Sequence, residues 1–253
     1  MHPILIKFWS WPLYSFGFMV ALGVLALILV ALYYARKEGI QAELVLDFTI
    51  YLILASALGA RLFYVIGQWE NFRQNPAEIL MFTRGGFVLM GGLLFGVLAA
   101  LLYARLKNIP PLKFVDILTP ASILAYAIGR IGCFLNGCCF GIPTHSCLGI
   151  IFPDESLAHS YFPGEAVYPT QLFSSASMAL AFIILIFIYR AKKRDGFVFF
   201  WGLILYSTYR FLIEFIRFSP IHWLTLTPTQ WAMLLVFTAS IVGLFRLRSK
   251  PSV

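Results

Sequence analysis

Seven apolar stretches alternate along the chain with short polar connections, near residues 14–34, 44–67, 86–104, 115–135, 170–189, 197–216 and 228–245. Each comes close to the roughly 20 residues that a helix needs to cross the hydrocarbon core of a bilayer. The stretches lack the period-2 alternation of barrel strands and each holds an unbroken apolar run, so the pattern predicts helices. Breakers fall between them: Pro76, Pro110, Pro111, Pro143, Pro153, Pro163, Pro169, Pro220 and Pro228. The expected fold is an all-α integral membrane protein, a single polytopic domain over residues 1–253 with seven transmembrane helices. The longest segment outside the helices, 136–169, is rich in Pro, Gly and polar residues and is expected to form a small cap. A second segment, 68–85, sets charges around an amphipathic stretch and suits an arm lying along the membrane interface.

Composition explains why these stretches must find lipid. The chain of 253 residues is 60% hydrophobic and 12% charged, where soluble chains run near half apolar and a quarter charged. That balance excludes disordered, collagenous and most nucleic-acid-binding classes, and the net charge of +8 is therefore read by position. Arg36, Lys37, Arg105, Lys107, Lys113, Arg190, Lys192, Lys193, Arg194, Arg246, Arg248 and Lys250 all fall on one side of the predicted spans. Lys7, Arg73, Arg84 and Arg217 fall on the other. The positive-inside rule then places the N-terminus outside, the C-terminus in the cytoplasm, and both the cap and the arm on the outer side. MHPILIKFW lacks a basic region followed by a small-residue cleavage site, so no removed signal peptide is expected.

Of the 19 basic residues, three remain inside or at the edge of apolar spans: Arg61, Arg130 and Arg210. Each costs roughly 2.5 to 3.5 kcal/mol at a helix centre. All three lie about four to six residues from the outward ends of their spans, or roughly 6 to 9 Å deep. Snorkelling to the headgroups or pairing with a carboxylate accounts for one such arginine, but three outnumber the carboxylates at that depth, where only Glu214 stands. An anionic partner at headgroup depth, a phospholipid phosphate, would supply the compensation, since guanidinium grips phosphate in a two-pronged fork. In YRFLIEFIR, Arg210, Glu214 and Arg217 have the spacing of one helix face. That spacing suits either an ion-pair ladder that hides charge or the wall of a polar cavity.

Paired glycines open the third span (RGGFVLMGGLLFG), and the fourth ends in GRIGCFLNGCCFG. Bare glycines such as Gly91 and Gly92 serve close helix packing or close approach of a ligand. The second element adds Arg130, Asn136 and three cysteines. Here the chain resembles the prolipoprotein diacylglyceryl transferases of the bacterial inner membrane, whose signature runs approximately G-R-x-G-N-F-x-N-x-E-x-x-G. Gly129, Arg130, Gly132, Phe134, Asn136 and Gly141 fall in register with it. Further likenesses follow in order: GARLFY at 59–64, a Gly-Gly-x-x-x-x-Gly-Gly element at 85–92, YPTQLF at 168–173 beside the family's H-P-S/T-Q-L-Y, and YRFLIEFIR at 209–217.

The resemblance implies a multi-pass enzyme of the bacterial cytoplasmic (inner) membrane. Such enzymes move a diacylglyceryl group from phosphatidylglycerol to the lipobox cysteine of a secreted prolipoprotein, releasing glycerol phosphate without metal or organic cofactor. It implies that Arg130, Arg210 and Glu214 carry the chemistry at the phosphate, that Arg61, Tyr64, Gly91, Gly92, Asn136 and Gln171 shape the substrate site, and that the cap receives the peptide. The chain also departs from the family pattern. The family's histidine before the second Gly-Gly is Met90, which takes no proton. The signature's first asparagine is Cys133 and its glutamate Cys138, the motif histidine is Tyr168, and a glutamate often found after it is Ser174. A lipid-binding membrane protein without transferase activity is therefore a second reading, and a small transporter a third.

All four cysteines, Cys133, Cys138, Cys139 and Cys147, sit at the outward end of the fourth span. Disulfides are allowed outside the cytoplasm, and a reactive thiol is an alternative. The run lacks the paired CxxC knuckles of zinc sites, and no metal is expected. His145, His159 and His222 suit surface positions, with His145 a candidate replacement base because it follows the cysteines.

Overall fold

A computed structural model of the chain describes residues 4–8, 11–80, 86, 88–219, 223 and 225–249. Arg84, Gly85, Pro220, His222 and Lys250 lie outside the described residues, as does the side chain of Met90. Each of the seven apolar stretches contains a long helix: α1 (Ser15–Lys37), α2 (Ala42–Gly67), α4 (Leu89–Leu106), α5 (Pro111–Leu135), α7 (Thr170–Arg190), α8 (Phe197–Ile213) and α9 (Pro228–Ser249). The short helices α3 (Trp69–Gln74) and α6 (Leu157–Tyr161) lie between them, with a 3-10 turn at Pro76–Leu80. Five helices, α1, α2, α5, α7 and α9, are long and apolar enough to cross a membrane. The chain is thus a mostly helical, multi-pass membrane protein. At 18 and 17 residues, α4 and α8 are shorter.

The burial pattern is that of a protein dissolved in lipid. Leu235 is 71% exposed, Phe245 64% and Phe187 61%, whereas Asp116, Gln171 and Ser15 are 0% exposed. Polar side chains turn inward because hydrocarbon offers them no partner. Several hydroxyls also bond the carbonyl one turn back in their own helix: Thr49 to Val45 at 2.8 Å, Thr119 to Val115 at 2.6 Å, Ser207 to Leu203 at 2.6 Å and Ser240 to Val236 at 2.6 Å.

The chain divides into two compact units, residues 32–114 and residues 1–31 with 115–253. In the first-named unit α2 packs on α4 through glycine. A Cβ on Gly91 would collide with the Gly59 carbonyl and lie 2.7 Å from the Phe63 Cβ, and one on Gly96 would lie 2.7 Å from the Ser56 hydroxyl. Phe48, Tyr103 and Phe114 close the other end of this unit as an aromatic cluster, with the Phe48 and Phe114 ring centres 4.8 Å apart.

In the other unit Asp116, fully buried at the start of α5, accepts the backbone N–H groups of Gly196 at 2.8 Å and Phe199 at 2.7 Å, thereby capping α8. Lys192 lies 3.4 Å from the same carboxylate. Ser175 of α7 donates to the Ala127 carbonyl of α5 at 2.9 Å. The unit also holds an antiparallel hairpin ahead of α1, β1 (Ile4–Phe8) with β2 (Trp11–Tyr14), which the hydropathy pattern does not reveal because neither strand alternates polar and apolar residues.

Segment 136–169 begins where Gly137, at φ 70, ends α5. It carries a two-residue strand pair, β3 (Ile150–Ile151) with β4 (Ala166–Val167), around α6. Phe140, Phe152, Ala158 and Val167 form a small core beneath Phe134, Phe162 and Phe218. One expectation is corrected here. The predicted sixth span ran to 216, with Arg217 on the same helix face as Arg210, but α8 ends at Ile213. Beyond it residues 214–216 make one further turn, and the chain then pairs with the segment after α5: Ile142 N–H donates to the Ile216 carbonyl at 3.0 Å, and Arg217 bridges Gly141. Those long-range backbone bonds replace the helical ones.

Candidate functional site

Arg130 comes from the last turns of α5, one turn after Tyr126, and its guanidinium lies 4.8 Å from the centre of the Tyr126 ring and donates to the Tyr126 hydroxyl. No carboxylate among the described residues pairs with it, and its Nε is buried without a hydrogen-bond partner. Tyr206 and Tyr209 of α8 complete an aromatic wall, with ring centres 5.7 and 6.5 Å from that of Tyr126. The buried Tyr209 hydroxyl is likewise unsatisfied. An open groove of about 240 Å³ runs between α5 and α8, lined by Val115, Leu118, Thr119, Phe199, Leu203 and Tyr206. It is almost wholly apolar, and Tyr206, at one end of the lining in sequence, also lies within electrostatic reach of Arg130 and Arg210.

Arg210 is on α8 and pairs through one nitrogen with Glu214, its neighbour one turn on. Glu214 is 6% exposed and accepts a second bond from the Thr227 hydroxyl at 3.0 Å. Thr227 is itself locked by a reciprocal cap at the start of α9. Its hydroxyl accepts the Gln230 N–H at 3.2 Å while the Gln230 side chain accepts the Thr227 N–H at 2.9 Å. The ion pair is thereby fixed from two helices. The spacing Thr-Pro-Thr-Gln was the available sequence signal for this brace.

Beyond α5 the turn 136–141 is held from below by α7. Thr170 donates to the Cys139 carbonyl at 2.7 Å and Gln171 to the Cys138 carbonyl at 2.7 Å. Gly141 sits between the Ile216 carbonyl and Tyr168, where a Cβ has no room. Asn136 is exposed on the turn. All four cysteines are free thiols, and Cys133, Cys138 and Cys139 converge, their sulfurs within 4.8 Å of one another, while Cys147 is exposed. Contacts from Cys133 and Cys138, then the charges of Arg217 and Arg130, hold the Cys139 thiol below the ordinary thiol range. Cys133 also pulls Cys138 downward, but Cys139 and burial outweigh it and leave Cys138 raised. His145 is exposed, and the His159 Nδ1 lies 3.4 Å from Asp154 within the cap segment.

Arg61, in the other unit, is 5% exposed and differently engaged. It donates to the carbonyls of Ile79 at 3.1 Å, Gly86 at 3.2 Å and Glu78 at 2.6 Å, between Tyr64 and Phe72 at 5.6 and 5.4 Å. Gly86, at φ 81, lies directly against the Tyr64 ring, so no side chain fits there. Gly91 and Gly92 face α2, where a Cβ on Gly92 would be 3.2 Å from the Ser56 carbonyl.

The profile of the prolipoprotein diacylglyceryl transferase family matches residues 3–246. The chain is similar to the phosphatidylglycerol–prolipoprotein diacylglyceryl transferase of Clostridium tetani, 34% identical over 245 residues, covering 97% of this chain and 96% of that one. It is similar to the enzyme of the same name from Listeria monocytogenes, 34% identical over 243 residues, 95% and 88% of the two chains. The Streptococcus mutans protein of that name is 32% identical over 252 residues, 98% and 96% of the two.

Proposed function

Because this chain belongs to the prolipoprotein diacylglyceryl transferase family, we propose that it transfers a diacylglyceryl group from phosphatidylglycerol to the cysteine sulfur of a prolipoprotein. The observation that carries this reading is Arg130, which has no carboxylate partner among the described residues and a buried, unbonded Nε, and whose charge reaches Tyr206 in the lining of an apolar groove. An anionic phospholipid satisfies both features, its phosphate at Arg130 and an acyl chain in the groove between α5 and α8.

The acceptor sulfur attacks the glyceryl carbon bonded to phosphate; the carbon–sulfur bond forms as the carbon–oxygen bond breaks, and the thiol proton passes to the departing phosphate or to water. Glycerol phosphate leaves with the bonding electron pair. Charge on the phosphate grows along this path, from one in the diester toward two in the monoester. A fixed guanidinium therefore binds the transition state more tightly than the bound lipid, which is the condition for catalysis. Arg210 adds a second cation whose position Glu214 and Thr227 hold. Gln171 shapes the site by fixing the 138–139 turn, and Asn136 lines the exposed approach for the peptide. Arg61, beside Tyr64, holds the carbonyls of Glu78, Ile79 and Gly86 instead of meeting phosphate, and Gly91 and Gly92 set the spacing of α2 and α4.

All seven long helices cross the bacterial inner membrane in this reading, with the N-terminus, the 136–169 cap and the 68–85 arm outside and the C-terminus in the cytoplasm. Transfer is measured with labelled phosphatidylglycerol and a lipobox peptide. Arg130→Ala is expected to lower turnover by about 10²- to 10³-fold, the usual loss when a donor to developing charge is removed; unchanged turnover would overturn the assignment. A second reading, lipid binding without transfer, is favoured by Met90, which has no proton to exchange. It predicts copurified anionic lipid, no labelled peptide, and no rescue of a strain depleted of its own transferase.

A further inference from the structure

The transfer reading leaves three thiols without a role. The sulfurs of Cys133, Cys138 and Cys139 lie within 4.8 Å of one another. Three sulfurs bound to one cation at about 2.3 Å stand roughly 4 Å apart, so the triangle is close to coordination geometry. Neighbouring residues in extended chain point to opposite sides, yet Cys138 and Cys139 face the same point. The left-handed backbone at Gly137 (φ 70) and Cys139 (φ 64) redirects the chain on either side of Cys138. Such a conformation is unfavourable for a residue with a side chain. It is held by the buried Thr170 and Gln171, each bonded at 2.7 Å to a carbonyl of the pair. The charges of Arg130 and Arg217 reach Cys139, and that of Arg130 also reaches Cys133; they would offset part of the excess negative charge of three thiolates around one cation.

We propose that Cys133, Cys138 and Cys139 form a three-sulfur site for a thiophilic cation, zinc(II) or copper(I). Thiolate ligands select these ions over the harder oxygen-seeking ones. Among the described residues no fourth His, Cys, Asp or Glu joins the group, so the remaining position falls to water or an incoming ligand, as in open sites. This goes beyond diacylglyceryl transfer and does not depend on it.

The test uses the full chain in detergent, reduced and stripped of metal under anaerobic conditions, with zinc(II) and copper(I) supplied separately. One equivalent of one ion is expected to bind and to protect three of the four thiols from alkylation, leaving Cys147 reactive; which ion does so identifies the native class. Cys133→Ser and Cys139→Ser should weaken binding by at least about tenfold, while Cys147→Ser binds as the parent does. Thermal unfolding of each stripped variant reports whether it is folded, and alkylation of the parent tests the site without any substitution. Alkylation of all four thiols both with zinc(II) and with copper(I) overturns the proposal. So does a disulfide joining two of the three sulfurs in protein isolated anaerobically.

Discussion

Arg61 and Arg130 are the same residue type at similar positions in apolar helices, yet their donors are used in opposite ways. Arg61 holds three carbonyls, so Arg61→Ala is expected to loosen the chain at Glu78 and Ile79 and lower stability, detected as faster proteolysis there, with less effect on turnover than Arg130→Ala. Equal losses of turnover at normal stability would return Arg61 to the phosphate. Thr227→Val removes a helix cap and frees one oxygen of Glu214. A cap loss of about 0.5–2 kcal/mol should appear as a lower unfolding midpoint, and a double-mutant cycle with Glu214→Gln should give coupling; additive effects would mean the two do not communicate. The cap could be read from Thr227 and Gln230 alone, as could the one-turn spacing of Arg210 and Glu214. What could not be read was which arginine keeps a buried nitrogen unbonded, because carbonyls 17 to 25 residues away answer that question for Arg61.

At the scale of elements, two contacts between helices carry separate expectations. Gly91 meets Gly59 backbone to backbone, so Gly91→Leu must push α4 off α2, at a cost of about 1–3 kcal/mol from overpacking. Gly17, with open space around it, should tolerate Ala, and unfolding midpoints in detergent would compare the two. Asp116 joins α5 to the start of α8 and to Lys192. Asp116→Ala leaves a buried cation short of its partner, a loss of about 3–5 kcal/mol, although Asp195 at 3.0 Å from Lys192 should soften it; a midpoint within a degree of the parent would show that the cap contributes nothing. Helix positions were legible because long apolar runs and prolines are local signals. The position of Asp116 was not: in sequence it sits among residues at a span's edge, and only the return of the chain at 196–199 gives its carboxylate two N–H groups.

At the scale of the whole chain, the two shorter helices decide how the segments are sorted across the bilayer. At 1.5 Å per residue α4 and α8 measure about 27 and 26 Å, slightly under a core of about 30 Å, a mismatch that local thinning accommodates. If both cross, an extracytoplasmic phosphatase reporter fused near residue 155 is active and a fluorescent protein fused at the C-terminus glows in the cytoplasm; the reverse pattern would overturn the orientation. The sequence by itself determined the solvent, the helix positions and, through its ordered motifs, the family, because hydropathy and motif spacing are properties of neighbours along the chain. Tertiary structure alone decided that α8 stops at Ile213, that Arg130 keeps a buried Nε without a hydrogen-bond partner while the Arg61 Nε bonds a carbonyl, and that three cysteines share one point. Each of these depends on backbone or side-chain partners far away in sequence, and a buried polar group takes its role from whatever partner the fold brings within hydrogen-bonding distance.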